Sequence, residues 1–166
     1  MKRILSLVFS LIFLCGCAAK TTNVKSVLSG ITFETRLSFY NEVFCCSGAI
    51  SKEGELTLTV NEPETIKGMK LTVKKDHLSA EFKGLTYTPK TEKLPFANVA
   101  QALYFALSDA LYRNPQVKAQ DGAFFIESVP NDKYYKIILT EAGFPISIEI
   151  PSAALTAEFS NVSIIK

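Results

Sequence analysis

The sequence predicts an α+β domain in which a strongly curved antiparallel sheet of about ten strands, an open or half β-barrel, wraps around one main helix. Apolar and polar residues alternate in many short segments from Ile31 onwards, which is typical of half-buried strands. One segment instead repeats apolar residues at spacings of three and four, which indicates a helix. Ten strands span ~48 Å and a helix is only ~12 Å across, so one helix covers the sheet only if the sheet curls around it.

Turn and breaker residues separate the predicted elements. Gly54 suits a hairpin turn, and Pro63 excludes a central strand from the loop 61–68. Pro95 fits the first turn of the helix, and Asn114-Pro115 ends it. Strands are predicted at 31–39, 42–50, 55–60, 69–73, 78–82, 85–87, 117–120, 123–129, 133–140, 145–150, 155–159 and 162–165, and the helix at 95–113.

The N-terminus has the order of a secretory signal segment over residues 1–16. Lys2 and Arg3 precede an apolar run that ends at Leu14 and, at ~16 Å as a helix, is too short to span a bilayer. The residues Leu14-Cys15-Gly16-Cys17 then resemble a bacterial lipobox, which implies acylation of Cys17. We expect a protein anchored by lipid on the extracytoplasmic face of a bacterial membrane; an ordinary signal peptide and an uncleaved anchor are the alternatives.

The rest of the chain divides at residue 30. Residues 17–30 are small, polar and weakly periodic, which predicts a lipidated N-terminus and flexible tether with one helical turn at 24–29. Residues 31–166 are predicted to form a single domain, because a chain of this length suits one hydrophobic core.

Composition argues against several classes of function. The formal net charge is +2, and Lys2 and Arg3 account for it, so residues 17–166 are neutral and nucleic acid is not an expected partner. The single histidine, His77, is expected in a solvated turn and cannot build a multi-histidine metal site. We expect no enzyme activity, no metal and no cofactor, because no nucleophile, base and charge stabiliser are indicated together.

Cys45 and Cys46 are adjacent in a predicted strand. Neighbouring strand residues point to opposite faces, which favours one packed thiol and one half-exposed thiol. Export to an oxidising compartment would also allow a vicinal or an intermolecular disulfide.

The apolar faces of the helix and the strands form the candidate ligand cleft. Tyr104 and Phe105 lie off the main helical stripe, so the helix is either buried on several sides or placed between the sheet and a ligand. Phe124-Phe125 and Tyr134-Tyr135 put one aromatic residue on each sheet face, which suggests that a partner covers part of the outer side. The cleft candidates are Phe96, Val99, Leu103, Tyr104, Phe105, Leu107, Leu56, Leu58, Leu71, Val73, Leu78 and Phe82.

The stretch 48–87, GAISKEGELTLTVNEPETIKGMKLTVKKDHLSAEFKGLTY, resembles the lipoprotein-carrier superfamily of LolA, LolB and LppX, and is similar to small clostridial GerS-like lipoproteins. The resemblance rests on the glycine-led hairpin, the Glu62-Pro63 loop and the strand pair ending at Lys83-Gly84-Leu85. It implies a concave, apolar, LolA-like binding fold on an envelope lipoprotein.

Two functions are therefore expected. The first is an envelope lipoprotein that binds an apolar or lipid-like ligand in a cleft of the curved sheet. The alternative is a regulatory or scaffolding lipoprotein whose sheet binds another envelope protein, such as a cell-wall enzyme, or a second copy as a homodimer.

Overall fold

A computed structural model describes residues 20–75, 77–88 and 95–165 of the chain. The signal segment at 1–16 and the lipidation site at Cys17 lie outside the described residues, so these remain predictions.

The described residues form one antiparallel sheet of twelve strands and one long helix. The elements in chain order are β1 Lys20–Thr21, β2 Ile31–Phe39, β3 Glu42–Ile50, β4 Leu56–Glu62, β5 Lys70–Lys74, β6 His77–Phe82, β7 Leu85–Tyr87, α1 Pro95–Arg113, β8 Lys118–Gln120, β9 Ala123–Ser128, β10 Tyr135–Leu139, β11 Pro145–Ile150 and β12 Leu155–Ile164.

The sheet consists of two meanders, and α1 connects them. β2 to β7 pair in chain order, β8 to β12 do the same, and β12 pairs with β2 in the middle. β1 and β7 are the two edges, so the sheet is open. The predicted open antiparallel sheet with one main helix is confirmed. It has twelve strands, of which β1 is not predicted and β12 joins two predicted segments.

Contacts of α1 show that the sheet is curved. The helix packs against β5 and also against β11 and β12. β5 and β11 are five positions apart in the sheet, and β2 to β4, which lie between them, contact α1 less than β5 and β11 do. Both strands reach α1 because the sheet bends towards it.

The bounds of α1 agree with the prediction at both ends. Pro95 is tolerated in the first turn of the helix, where its missing N–H has no partner to lose. Asn114, with φ 44°, leaves the helical conformation directly before Pro115. Four alanines on the buried side of α1 allow the sheet to approach closely: Ala97, Ala100, Ala106 and Ala110.

The last strand corrects one prediction. Two strands are predicted at 155–159 and 162–165, but β12 runs through both. Asn161 has φ 51°, and the register with β2 shifts between Ser160 and Ser163. A bulge of this kind holds the extra residue without ending the strand.

The segment before β2 also differs from its prediction, because it packs against the domain where a tether with a helical turn is expected. The N–H of Val27 donates to the carbonyl of Gly143 at 2.8 Å, and Leu28 is buried in the core. Residues 22–28 have no regular secondary structure. Burial of Leu28 favours this packing, so the folded part of the chain starts before residue 31.

Candidate functional site

The predicted cleft residues lie together, and most of them fill the core. Tyr104 and Phe82 are partly buried against this core, and Phe105 is half-buried outside it. Nine candidates are almost fully buried: Phe96, Val99, Leu103, Leu107, Leu56, Leu58, Leu71, Val73 and Leu78.

Little free space remains between these side chains near the end of α1. A void beside Leu28, Tyr104 and Leu107 has a volume of about 10 Å³. That is room for a single water molecule at most. Two larger spaces among the described residues lie at the surface beside the first half of α1.

The two aromatic residues off the helical stripe have different surroundings. The hydroxyl of Tyr104 accepts a 2.6 Å hydrogen bond from the N–H of Lys75, so this ring joins α1 to the turn after β5. The ring of Phe105 has the ammonium of Lys133 5.4 Å from its centre. Phe105 lines a surface groove, whereas Tyr104 holds a hairpin turn.

We call the larger space the apolar groove. It has a volume of about 410 Å³ and is open to solvent. This volume falls within the range of small-molecule sites, ~300–1,000 Å³. Its lining comes from the start of β3, the loop after β4 and the start of α1, namely Glu42, Val43, Phe44, Pro63, Thr65, Ile66 and Phe96.

Local structure explains how these residues meet. The rings of Phe44 and Phe96 pack at 4.9 Å between centres, which joins β3 to the first turn of α1. A short 3₁₀ turn at Glu64–Ile66 follows Pro63, and the N–H of Ile66 donates to the Pro63 carbonyl at 3.2 Å. This turn folds the loop back so that Ile66 lies against the core.

The groove has an acidic rim. Glu42 lines it, and Glu64 lies in the chain between the lining residues Pro63 and Thr65. Lys67 pairs with Glu64 at 3.1 Å. Within the described part of the chain, no lysine or arginine forms an ion pair with Glu42.

A second, more polar space lies along a different side of α1. It has a volume of about 330 Å³ and includes the ring of Phe105 and the ammonium-bearing side chain of Lys133. The complete lining is Asn98, Gln101, Ala102, Phe105, Lys133, Ile150, Ser152 and Ala153.

Asp109 is the polar connection between α1 and the sheet. Its carboxylate accepts a 2.9 Å bond from the hydroxyl of Tyr135 and a 3.5 Å bond from Ser128, and pairs with Arg113 at 2.7 Å. Burial raises the pKa of Tyr135, and the bond to Asp109 raises it further. Hydrogen bonding therefore satisfies the polar atoms that this contact removes from water.

The adjacent cysteines are both free thiols, one on each face of β3. Cys46 is buried in the core, and burial raises its pKa to about 12. Burial also raises the pKa of Cys45, and its hydrogen bond to Glu62 acts in the same direction. Both thiols are thus weaker nucleophiles than an exposed cysteine.

On the outer face of the sheet, neighbouring side chains of the same sheet cover the ring of Phe125. Phe125 is buried although it points away from the core, and the ammonium of Lys136 lies 4.6 Å from its ring centre. Glu127 bonds to Lys136, Lys118 and Tyr134 around it. A partner protein is not needed to shield this ring.

Sequence reasoning missed most of the apolar groove. Of its lining residues, only Phe96 is among the predicted cleft residues. Val43 is 41% exposed, and this exposure is known only once the structure shows which face of the strand is buried. The sequence shows that Pro63 ends a strand, but it does not show that Pro63 lies near the start of α1, which depends on tertiary structure.

The described residues include no group of three or more His, Cys, Asp or Glu that could hold a metal ion. In the same ranges, no helix combines the length and the apolar character needed to cross a membrane.

Comparison with known proteins gives a weak likeness to solved structures. No protein-family model matches the chain, and no curated protein matches it. A crystal structure of a DUF1329 family protein from Desulfovibrio piger is similar over 82% of this chain and 86% of its own, with 9% identity and a TM-score of 0.36.

Proposed function

We propose that this protein is an envelope lipoprotein, anchored to the membrane through acylated Cys17, that binds an apolar or lipid-like ligand in the apolar groove. The observation that carries the proposal is a groove of about 410 Å³ whose walls include Val43, Phe44, Ile66 and Phe96. Apolar ligand atoms that replace water against such walls lower the free energy, because apolar surface is removed from water. The lipobox and the LolA-like, GerS-like resemblance of residues 48–87 support the same function.

The binding proposal is tested with a neutral apolar dye, N-phenyl-1-naphthylamine, and dodecanol as its competitor. We expect saturable binding of the dye and its displacement by dodecanol. Val43→Gln should weaken binding about fourfold for each methylene contact that is lost.

Ile146→Gln is the matched control, because Ile146 is 44% exposed and Val43 is 41% exposed. Ile146 lies on β11 and does not line the groove. Equal weakening by both variants, or no saturable binding by the wild type, would refute the proposal.

The anchor has a separate test. Cys17→Ala should move the protein from the membrane fraction to the soluble fraction, because the acyl chains supply the attachment. Retention in the membrane pellet after a salt wash would contradict the lipobox interpretation.

A regulatory or scaffolding role through protein binding is the second candidate, and the edge strand β7 favours it. Leu85 is 71% exposed and Tyr87 is 42% exposed. Among the described strands, none pairs with the outer edge of β7. Such an edge can pair with an envelope protein or with a second copy. A stable dimer that Leu85→Lys dissociates would support this role.

A further inference from the structure

We infer that the apolar groove selects a single-chain amphiphile whose head group carries a positive charge; this inference rests on the proposed function. It combines the volume of the groove with the charge at its rim. The volume limits the length and number of alkyl chains that the groove holds. The charge at the rim selects the head group.

The volume limits the ligand to one chain. A dry cavity of about 150 Å³ holds one benzene molecule, or roughly 25 Å³ per carbon atom. At that packing, about 410 Å³ holds on the order of sixteen carbon atoms. One alkyl chain fills this space, so the second chain of a phospholipid would have to lie outside the groove, in contact with water.

The rim supplies negative charge where a head group would lie. Glu42 belongs to the wall, and Glu64 lies in the chain between the wall residues Pro63 and Thr65. Lys67 offsets one of these charges through its pair with Glu64. At physiological salt the screening length is ~8 Å, so the carboxylate of Glu42, which lines the groove, acts on a charge at the groove mouth.

The acidic rim opposes the more common anionic ligands. A fatty acid would place its carboxylate beside Glu42, and the like charges would repel. An amine-bearing head group would gain an ion pair there. The rim is solvent-exposed, so each carboxylate is expected to change affinity by about two- to fivefold, which is the range for exposed ion pairs.

The experiment compares three probes of equal chain length, dodecylamine, dodecanol and dodecanoate, by competition with the neutral dye on the full mature protein. We expect dodecylamine to bind most tightly and dodecanoate most weakly, with the difference shrinking at high salt. Glu42→Gln should lower the affinity for dodecylamine about two- to fivefold and leave the affinity for dodecanol unchanged.

Glu141→Gln is the control, because Glu141 is an exposed carboxylate in the turn between β10 and β11, outside the groove lining. Equal affinity for the three probes, or tighter binding of dodecanoate, would overturn the charge selection while the apolar site stands. Absence of binding by all three probes would overturn the proposed function itself.

Discussion

At the scale of single residues, Asp109 holds α1 to the sheet through its hydrogen bond with Tyr135. It is the acceptor for the buried hydroxyl of Tyr135, whereas its salt-bridge partner Arg113 is 61% exposed. Hydrogen bonds from buried groups to a charge contribute more than exposed ion pairs do, because solvent screens the latter.

We therefore predict that Asp109→Ala lowers the free energy of unfolding by about 1–3 kcal/mol, since the Tyr135 hydroxyl is left without an acceptor. Arg113→Ala should cost less than about 1 kcal/mol. Urea denaturation measures both changes. If Arg113→Ala costs as much as Asp109→Ala, the exposed pair and not the buried bond holds the helix.

The raised pKa of Cys46 predicts that the protein loses stability at alkaline pH. Burial raises its pKa from 9.0 to about 12, so above pH 9 the unfolded chain loses a proton that the folded chain keeps. Ionisation then favours unfolding, and stability falls between pH 9 and 12. At pH 10 the loss relative to pH 8 should be about 1 kcal/mol.

Cys46→Val removes this thiol and keeps a small apolar side chain in the core. Its stability should fall less between pH 8 and pH 10 than that of the wild type, as measured by urea denaturation. An identical alkaline slope in both proteins would contradict the buried, protonated state of Cys46.

At the scale of elements, the packing of residues 22–28 depends on Gly143. A Cβ at this position would overlap the carbonyl oxygen of Lys25. Gly122 has φ 80°, close to the φ 85° of Gly143, but no atom lies within 4 Å of its added Cβ. A side chain at either glycine would thus strain the backbone to a similar degree. Only at Gly143 would it also collide with a neighbouring atom.

We predict that Gly143→Ala costs about 1–3 kcal/mol more than Gly122→Ala, which is the usual cost of overpacking. The N-terminal segment should also detach, and its backbone beside the exposed Lys25 then becomes free to enter the active site of trypsin before the domain unfolds. Equal stability of the two variants and equal protection of Lys25 would show that the segment does not depend on this contact.

The elements also show how far the sequence predicts the fold. Local chemistry determines both ends of α1, because Pro95 and Asn114-Pro115 restrict the backbone directly. Periodicity alone does not separate a bulge at Asn161 from a turn, so β12 is predicted as two strands. Packing of Leu28 depends on distant contacts, and its short apolar segment does not predict them.

At the scale of the whole molecule, the site depends on how the elements assemble. Val43, Ile66 and Phe96 come from a strand, a loop and a helix that are far apart in sequence. Sequence periodicity identifies buried faces, and it correctly groups the core residues of α1 and β4 to β6. It cannot identify a groove where three elements meet at the surface, which is why most residues that line the apolar groove are not among the predicted cleft residues.

The most direct test of the central claim is native mass spectrometry of the protein extracted from its own membrane in mild detergent. We predict a bound species in equal molar amount to the protein, with the mass of a single-chain amphiphile, that is lost in Val43→Gln and kept in Ile146→Gln. A wild-type protein that carries no added mass, or that forms a ligand-free dimer, would contradict the account.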